Sequence, residues 1–372
     1  MKWNGITATA LLLPLCLAAC GGEDRKEDRG EPEANAPVQL TIGHVGHDHQ
    51  IALGIAAYRP EATEKACGIH LVERKPKEVY DLHRGADRLA RFLVKKVGGG
   101  SNMPAAMEKG ALDIGFGGIP AVIKFIDKGN EIKILCPLNV DGDMLLVRPD
   151  LAVATWEDFV ALARKSEKPL RVGVKNIMSV AKLVCHQACL DAGIGDKVEF
   201  INLKSNKNVI PTLQTEGTID AVATNEPVCT KAILKGVARK VSLLADLPPA
   251  GKFKAHPCCC ICATGTAIND HREVMQAFIT LMKCCTGMIN ADKAMAAQLG
   301  AKWTKAPLEV EQASVPNIVY KIVPDRAYRK GLEQWYETMN RMGVYQGSLA
   351  GLSFAEMFAK VHDLSFIEQA GI

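Results

Sequence analysis

Long apolar runs are missing from this sequence of 372 residues, and with them the segments of ~20 residues from which a polytopic membrane protein is built. A strong excess of charge is missing too. Lys plus Arg number 45 against 41 Asp plus Glu, and a formal charge of +4 on so long a chain argues against a nucleic-acid partner. Aromatic side chains make up only 5%, yet 48% of residues are hydrophobic and 23% charged, which excludes wholesale disorder and a collagen-like repeat. There is no phosphate loop, because Gly98-Gly99-Gly100-Ser101 is not followed by Gly-Lys-Ser/Thr. What is present is length enough for two compact units and 13 cysteines, too few for a disulfide scaffold of this size and too many to pass over.

The first residues read as an address. Lys2 supplies the positive region, Ala10-Leu11-Leu12-Leu13-Pro14-Leu15-Cys16-Leu17 a short apolar stretch, and Ala18-Ala19 the small residues a peptidase needs. Leu17-Ala18-Ala19-Cys20 resembles a bacterial lipobox, so residues 1–19 are expected to be removed and Cys20 to carry lipid. Residues 20–37, rich in Gly, Glu, Asp, Arg and Pro, then form a solvated tether. Such a protein sits in the periplasm or at the cell surface, where disulfides form. With Cys16 removed and Cys20 lipidated, 11 cysteines remain, an odd number that leaves at least one thiol unpaired by another cysteine.

Beyond the tether, strands are expected at Val38 to Gly43, Ile69 to Glu73, Ala111 to Phe116, Ile132 to Cys136 and Met144 to Val147, with helices at Met103 to Gly110 and Ile119 to Lys128. A second series begins near Asp150. Thr155 and Asp158 open a helix as a capping box, Leu170 to Val174 is a strand, Ser179 to Asp191 a helix and Lys197 to Ile201 a strand. This is the pattern of a mainly parallel α/β sheet. The chain echoes itself: Gly110-Ala111-Leu112-Asp113 returns 107 positions later as Gly217-Thr218-Ile219-Asp220, and Pro120 and Pro227 keep the same offset. Two similar lobes follow, with 38–148 and 255–372 as lobe 1 and 149–254 as lobe 2. Helices at Val274 to Ile289 and Pro324 to Met342 dominate the C-terminal region.

With its lipobox, charged tether and two α/β series around Gly-x-Leu-Asp-Ile-Gly-Phe-Gly-Gly-x-Pro-Ala, the chain resembles the solute-binding proteins of ABC importers of the nitrate/sulfonate/taurine type. The likeness covers roughly residues 38 to 300. It implies a two-lobe periplasmic-binding-protein fold of type II with a hinged ligand cleft, acting as a monomer that delivers a small ligand to a membrane permease. It implies no enzymatic activity.

Three features are expected at such a cleft, the first two meeting there to contact a metal, a metal complex or a thiol-reactive small molecule. The turn Gly43-His44-Val45-Gly46-His47-Asp48-His49-Gln50 holds three imidazoles and a carboxylate within six residues, and neutral imidazole suits iron, zinc or copper. His44, His47 and His49 are therefore candidate ligand and metal contacts; the plainer reading is one ring hydrogen-bonding an organic ligand. The second feature is His256-Pro257-Cys258-Cys259-Cys260-Ile261-Cys262. It lacks the spaced pairs of a structural zinc site. In a flat strand Cys258, Cys260 and Cys262 share a face at intervals of about 6.6 Å, whereas two thiolates on one tetrahedral metal need sulfurs ~3.8 Å apart. Only a bend after Pro257 lets Cys258, Cys259, Cys260 and Cys262 chelate; a strained disulfide between neighbours or burial as small hydrophobes are the other outcomes. Third, Gly117 and Gly118 precede a helix, Asn225 and Glu226 hold the matching place in the second lobe, and Lys175, Asn176 and Ser179 lie at a helix N-terminus suited to an anionic group. Cys185, Cys189, Cys284 and Cys285 read as helix core.

The cysteine run also resembles the C-C-C-x-C box of fungal thiamine-pyrimidine precursor synthases, in which the box is associated with iron. An enzyme of that type is the rival reading, and a metal- or redox-sensing lipoprotein a third. The synthases' cofactor-bearing lysine and their sacrificial histidine would fall on Gly117 and Ala121, so the likeness stops short of the reaction.

Overall fold

The computed structural model describes residues 38–99 and 102–371. The expected signal peptide, the tether and Cys20 lie outside the described residues. Among the described residues thirteen strands form two sheets. The first contains β1 (Val38–His44), β2 (Ile69–Lys75), β3 (Val79–Arg84), β4 (Asp87–Lys96), β5 (Ile114–Gly118) and β6 (Ile132–Asp141). The second contains β7 (Asp143–Val147), β8 (Leu170–Val174), β9 (Val198–Asn202), β10 (Ala221–Asn225) and β11 (Arg239–Leu243). The chain then returns to the first sheet as β12 (Pro257–Thr264) and β13 (Ile318–Tyr320). Spatial order is β13-β6-β12-β5-β1-β4-β3-β2 in the first and β11-β7-β10-β8-β9 in the second.

Neither sheet is mainly parallel, which corrects the expectation from helix–strand alternation. β1 runs parallel to β4 and β5, but β2, β3 and β4 form an antiparallel meander and β12 runs antiparallel to both β5 and β6. Charge obscures the alternation of the meander in the sequence: Ala90, Phe92 and Val94 of β4 are buried in the core while Arg88 and Arg91 form ion pairs. Their partner is Asp81 on β3, fully buried and held also by Arg74.

Helices cover the sheets. Those that bear on the site are α1 (Ile51–Tyr58), α2 (Ile119–Asp127), α3 (Trp156–Lys165), α4 (Val180–Asp191), α5 (Val228–Leu234), α6 (Arg272–Ala291), α7 (Lys293–Thr304) and α8 (Arg326–Arg341). Local chemistry sets their starts. Thr155 and Asp158 form the capping box of α3, Ser179 accepts from the Lys182 N–H to cap α4, and Asp325 does the same for α8 through the Tyr328 N–H. Cys185 and Cys189 on α4 and Cys284 and Cys285 on α6 are buried.

The internal echo is structural. Gly110 and Gly217 both take positive φ, +67° and +70°, the left-handed conformation that glycine adopts without steric cost. Asp113 Oδ2 accepts from the Thr41 N–H and Asp220 Oδ2 from the Arg171 N–H, each at 2.7 Å. Each aspartate's own N–H donates to the carbonyl of that same residue, Thr41 or Arg171. The same device thus ties the matching loop to the first parallel strand of each sheet.

Between the sheets the chain passes through Gly142 alone, at φ +90°. The return passage ends at His256. Its ring is buried, with Nδ1 2.9 Å from Asp141 Oδ1 and Nε2 3.2 Å from Asp143 Oδ2, while Asp141 also accepts from the backbone N–H groups of Ala255 and His256. Outgoing and returning strands are thereby pinned at one buried cluster. Among the described residues no helix is long and apolar enough to cross a membrane.

Candidate functional site

The turn that follows β1 folds tightly. His47 Nδ1 accepts from the His49 N–H at 3.3 Å and opens a 3-10 turn, Asp48–Gln50, which runs into α1. Gln50 clamps it, accepting from the Val45 N–H at 2.8 Å and donating to the Phe116 carbonyl at 2.8 Å. Held so, the His49 ring turns inward. Its Nδ1 lies 3.1 Å from the Asn139 Nδ2 of β6, 3.3 Å from Cys258 Sγ and 3.9 Å from Cys259 Sγ of β12.

Consecutive side chains on a regular strand point to opposite faces, so two neighbouring sulfurs beside one ring require an irregular strand. β12 is irregular there: its register against β6 shifts between Pro257 and Cys259 and again between Cys259 and Cys260. Asn139 secures the distortion, its Oδ1 accepting from the Cys259 N–H at 3.2 Å. The result is a Cys258–Cys259 sulfur separation of 3.9 Å.

Two of the four expected thiols belong elsewhere. Cys260 Sγ faces the Gly117 carbonyl at 3.6 Å, and Cys262 Sγ packs against the Gly115 carbonyl at 3.4 Å and Met107 Sδ at 3.6 Å. Both are wholly buried in the core: β12 pairs regularly with β5 from Cys259 to Ala263, so ordinary alternation turns Cys260 and Cys262 away from Cys259, and the extra residue between Pro257 and Cys259 is what brings Cys258 beside it. His44 is corrected likewise. It still belongs to β1, and its ring meets Trp303 of α7 with centroids 5.2 Å apart instead of joining the sulfurs. His47 lies between these cases, within reach of Asp48 and His49 but not of the thiols.

Electrostatics divide the rings. Burial holds His44 near 4, helped by Lys96 and Lys77, and holds His47 well below the ordinary range. Burial also opposes a charge on His49, but Cys259, Asp48 and Asp143 outweigh it and lift its pKa to about 8. The hydrogen bond with Cys258, followed by His49, draws the Cys259 thiol down to about 5, while the same contact and burial push Cys258 up. A thiol and an imidazole held this close offer the two donor types of a soft-metal site, the ring through its Nδ1 lone pair and the sulfur as thiolate. Beneath lies Asp48, fully buried, with both carboxylate oxygens lacking a hydrogen-bond partner among the described residues, as does His49 Nε2. Burial drives the Asp48 pKa up, and Glu311 and Glu226 add to it.

Above the sulfurs opens a cavity of about 490 Å³, lined from the first sheet's side by His47, Gln50, Lys96, Gly118, Cys258 and Cys259, and from the second's by Lys175, Ser179 and Asn206. The expected contacts divide here. His47, Gly118, Lys175 and Ser179 line the cavity. Asn225 stands behind it, bonded to the Lys175 ammonium. Gly117 turns its carbonyl to Cys260, and Glu226 is buried as the partner of Thr230 and Asn317, at 2.8 Å from each. Glu226 and Gly117 thus support the site without facing it. Sequence reasoning missed Asn139, Lys96, Lys204 and Lys207. Lys204 is the one with a distinctive backbone, at φ +65°, a feature that composition does not reveal. Among the described residues a wider depression of about 710 Å³ beside Lys283 and Tyr320 has Cys284 as its one thiol and no histidine in its lining.

The NMT1-like family matches residues 33–304. An uncharacterised protein of Methanocaldococcus jannaschii is 34% identical over 109 residues, 29% of this chain and 75% of that protein. Among solved structures, the zinc-bound ligand-binding component of an ABC-type import system from Staphylococcus aureus superposes with a TM-score of 0.70 at 15% identity, over 90% of this chain and 99% of that one. The periplasmic nitrate-binding protein of Synechocystis PCC 6803 gives 0.69 at 14% identity, over 90% and 88%. At such identities the likeness is one of fold: α/β, of the periplasmic-binding-protein kind, with a helical C-terminal region.

Proposed function

The chain belongs to the NMT1-like family, and from that premise we propose that it is a solute-binding protein which captures a small ligand between its two sheets and hands it to the permease of an ABC importer. It works outside the cytoplasmic membrane, tethered through lipid on Cys20. The observation that carries this reading is the cavity, lined from both sheets and floored by two thiols, in a fold whose solved relatives include binding components of importers.

We further propose that the cargo includes a thiophilic metal. Two thiolates on a tetrahedral zinc stand ~3.8 Å apart and a thiolate and an imidazole nitrogen ~3.6 Å, from bonds of about 2.3 and 2.0 Å. The 3.9 Å between Cys258 and Cys259 and the 3.3 and 3.9 Å from His49 Nδ1 fit those separations before any ion arrives. His49, Cys258 and Cys259 supply three donors, and the open cavity leaves a fourth position to the cargo's own ligand or to water. Asn139 steers the ring by donating to Nδ1 and is displaced when that lone pair turns to the metal.

Elemental analysis of anaerobically purified protein tests this. A stoichiometric transition metal is expected in the wild type, and a drop of about tenfold or more in occupancy in Cys258→Ser and Cys259→Ser, with Cys262→Ser unaffected. Full occupancy by a metal-free organic ligand in native mass spectra would refute the metal while leaving the binding protein standing.

A further inference from the structure

Charge in the cavity is one-sided. Lys96, Lys175, Lys204 and Lys207 all line it, and among the described residues no Asp or Glu does. The first turns of two helices join them: Gly118 caps α2, of 9 residues, and Ser179 caps α4, of 12, and both caps line the cavity. Helix N-termini carry partial positive charge and free N–H donors. The thiol pair sits in the same enclosure.

These two chemistries conflict over a bare cation. A divalent ion entering alone meets four ammonium groups and two helix N-termini before it reaches the sulfurs, and each disfavours it. An organic anion alone satisfies the lysines but leaves a preformed pair of thiols and an imidazole with nothing to hold. Size argues in the same direction. A cavity of about 490 Å³ falls within the 300–1,000 Å³ typical of small-molecule sites, whereas a single water-sized occupant needs only about 10–15 Å³ on the same kind of measure.

We infer that the cargo is a thiophilic metal carried inside an anionic chelate, with the metal on Cys258, Cys259 and His49 and the chelator's carboxylate or phosphate groups on the lysines and the N-termini of α2 and α4. The inference rests on the metal reading given above and specifies the form in which the metal comes. The exposed lysines Lys96, Lys204 and Lys207 draw the complex in, and half-buried Lys175, oriented by Asn225, receives it within. Selectivity follows: a chelator lacking metal forfeits the sulfurs, and a metal lacking chelator meets repulsion.

Titration calorimetry with three probes tests it: zinc chloride, sodium citrate and their 1:1 complex, which is net negative. The complex is expected to bind about tenfold or more tighter than either component, a difference of roughly 1.4 kcal/mol, and native mass spectra should show protein, zinc and citrate together. Lys96→Ala and Lys207→Ala are expected to move the two affinities in opposite directions, weakening the complex while strengthening bare zinc, which those ammonium groups repel. Raised salt should weaken the complex. If bare zinc binds as tightly as the complex and the lysine variants change neither, the chelate is wrong and the metal site stands. If citrate binds equally with and without zinc, and Cys258→Ser and Cys259→Ser leave that affinity untouched, the metal reading itself fails.

Discussion

Gly142 shows how much one residue decides. It is the sole link between β6 and β7, at φ +90°, and a Cβ there would lie 2.9 Å from His49 Nε2 and 3.0 Å from Ile318. Gly142→Ala is therefore expected to cost about 2–3 kcal/mol through backbone strain and the displaced ring. It should also lower metal occupancy, since His49 cannot keep its distance to Cys258. A urea midpoint unchanged from wild type would show that the link is more compliant than its dihedral implies. Asp81 offers a second test at this scale. The Arg91 hydrogen bond, followed by Arg74, outweighs burial and holds its carboxyl at about 2 against an ordinary 3.8. A depressed folded-state pKa stabilises above the unfolded value and is lost as pH falls through the folded one. At neutral pH Asp81 thus contributes up to about 2 kcal/mol, which disappears between about pH 4 and pH 2. Asp81→Asn should flatten that part of the stability curve and leave the rest.

At the scale of elements, the decisive contact is the one that pins outgoing to returning chain. His256 is buried between Asp141 and Asp143, and the two carboxylates raise its pKa to about 10 against the pull of burial. Removing the ring leaves Asp143, itself buried, without its cation. His256→Ala should therefore cost about 3–5 kcal/mol, and the loss should appear in hydrogen exchange first at β6, β7 and β12, where the passages meet. Protection lost uniformly across the chain would mean that the cluster is only one core contact among many.

Elements also explain what could be read beforehand. Capping chemistry is local, so Thr155 with Asp158 and Ser179 announced their helices. The Gly–x–apolar–Asp echo was legible because a left-handed glycine and a carboxylate accepting a strand N–H need particular residues at particular spacing. The histidine turn and the cysteine run were visible as composition, and the structure brings His49 of one against Cys258 and Cys259 of the other. Which members meet was not legible. His44 is separated from the others by the end of β1, and Cys258 is parted from Cys260 and Cys262 by the irregularity between Pro257 and Cys259, where β12 meets β6 and Asn139. Non-local pairing sets such register, and no window on a single strand contains it. Lys175 was legible from its place at a helix N-terminus, but Lys96, Lys204 and Lys207 were not, for the same reason: Lys96 ends β4 in one sheet and Lys204 and Lys207 follow β9 in the other.

For the whole molecule, the proposed function requires that the two sheets respond to cargo together. The outgoing connection is residue 142 alone and the return, residues 244–256, ends beside it at His256, so the proposed closure would bend about that pinned region, as in hinge closure around a ligand. A ligand stabilises the closed arrangement only by the contacts it makes there and lacks in the open one. Cargo held by Cys258 and Cys259 on one side and by Lys175 and Lys207 on the other meets this condition, whereas cargo held by the thiols alone does not. Hydrogen exchange distinguishes the two. On adding the zinc–citrate complex, segments containing Gly46–Gln50 and Ser205–Lys207 should gain protection in parallel, and at saturation by about 2.7 kcal/mol when ligand stands at a hundred times its dissociation constant. Citrate without zinc should protect the lysine side by less and leave the histidine turn unchanged. Protection confined to the histidine turn under every condition would mean that metal binds without drawing the sheets together, and the proposed hand-over to a permease would then lack a closed state to report that the protein is loaded.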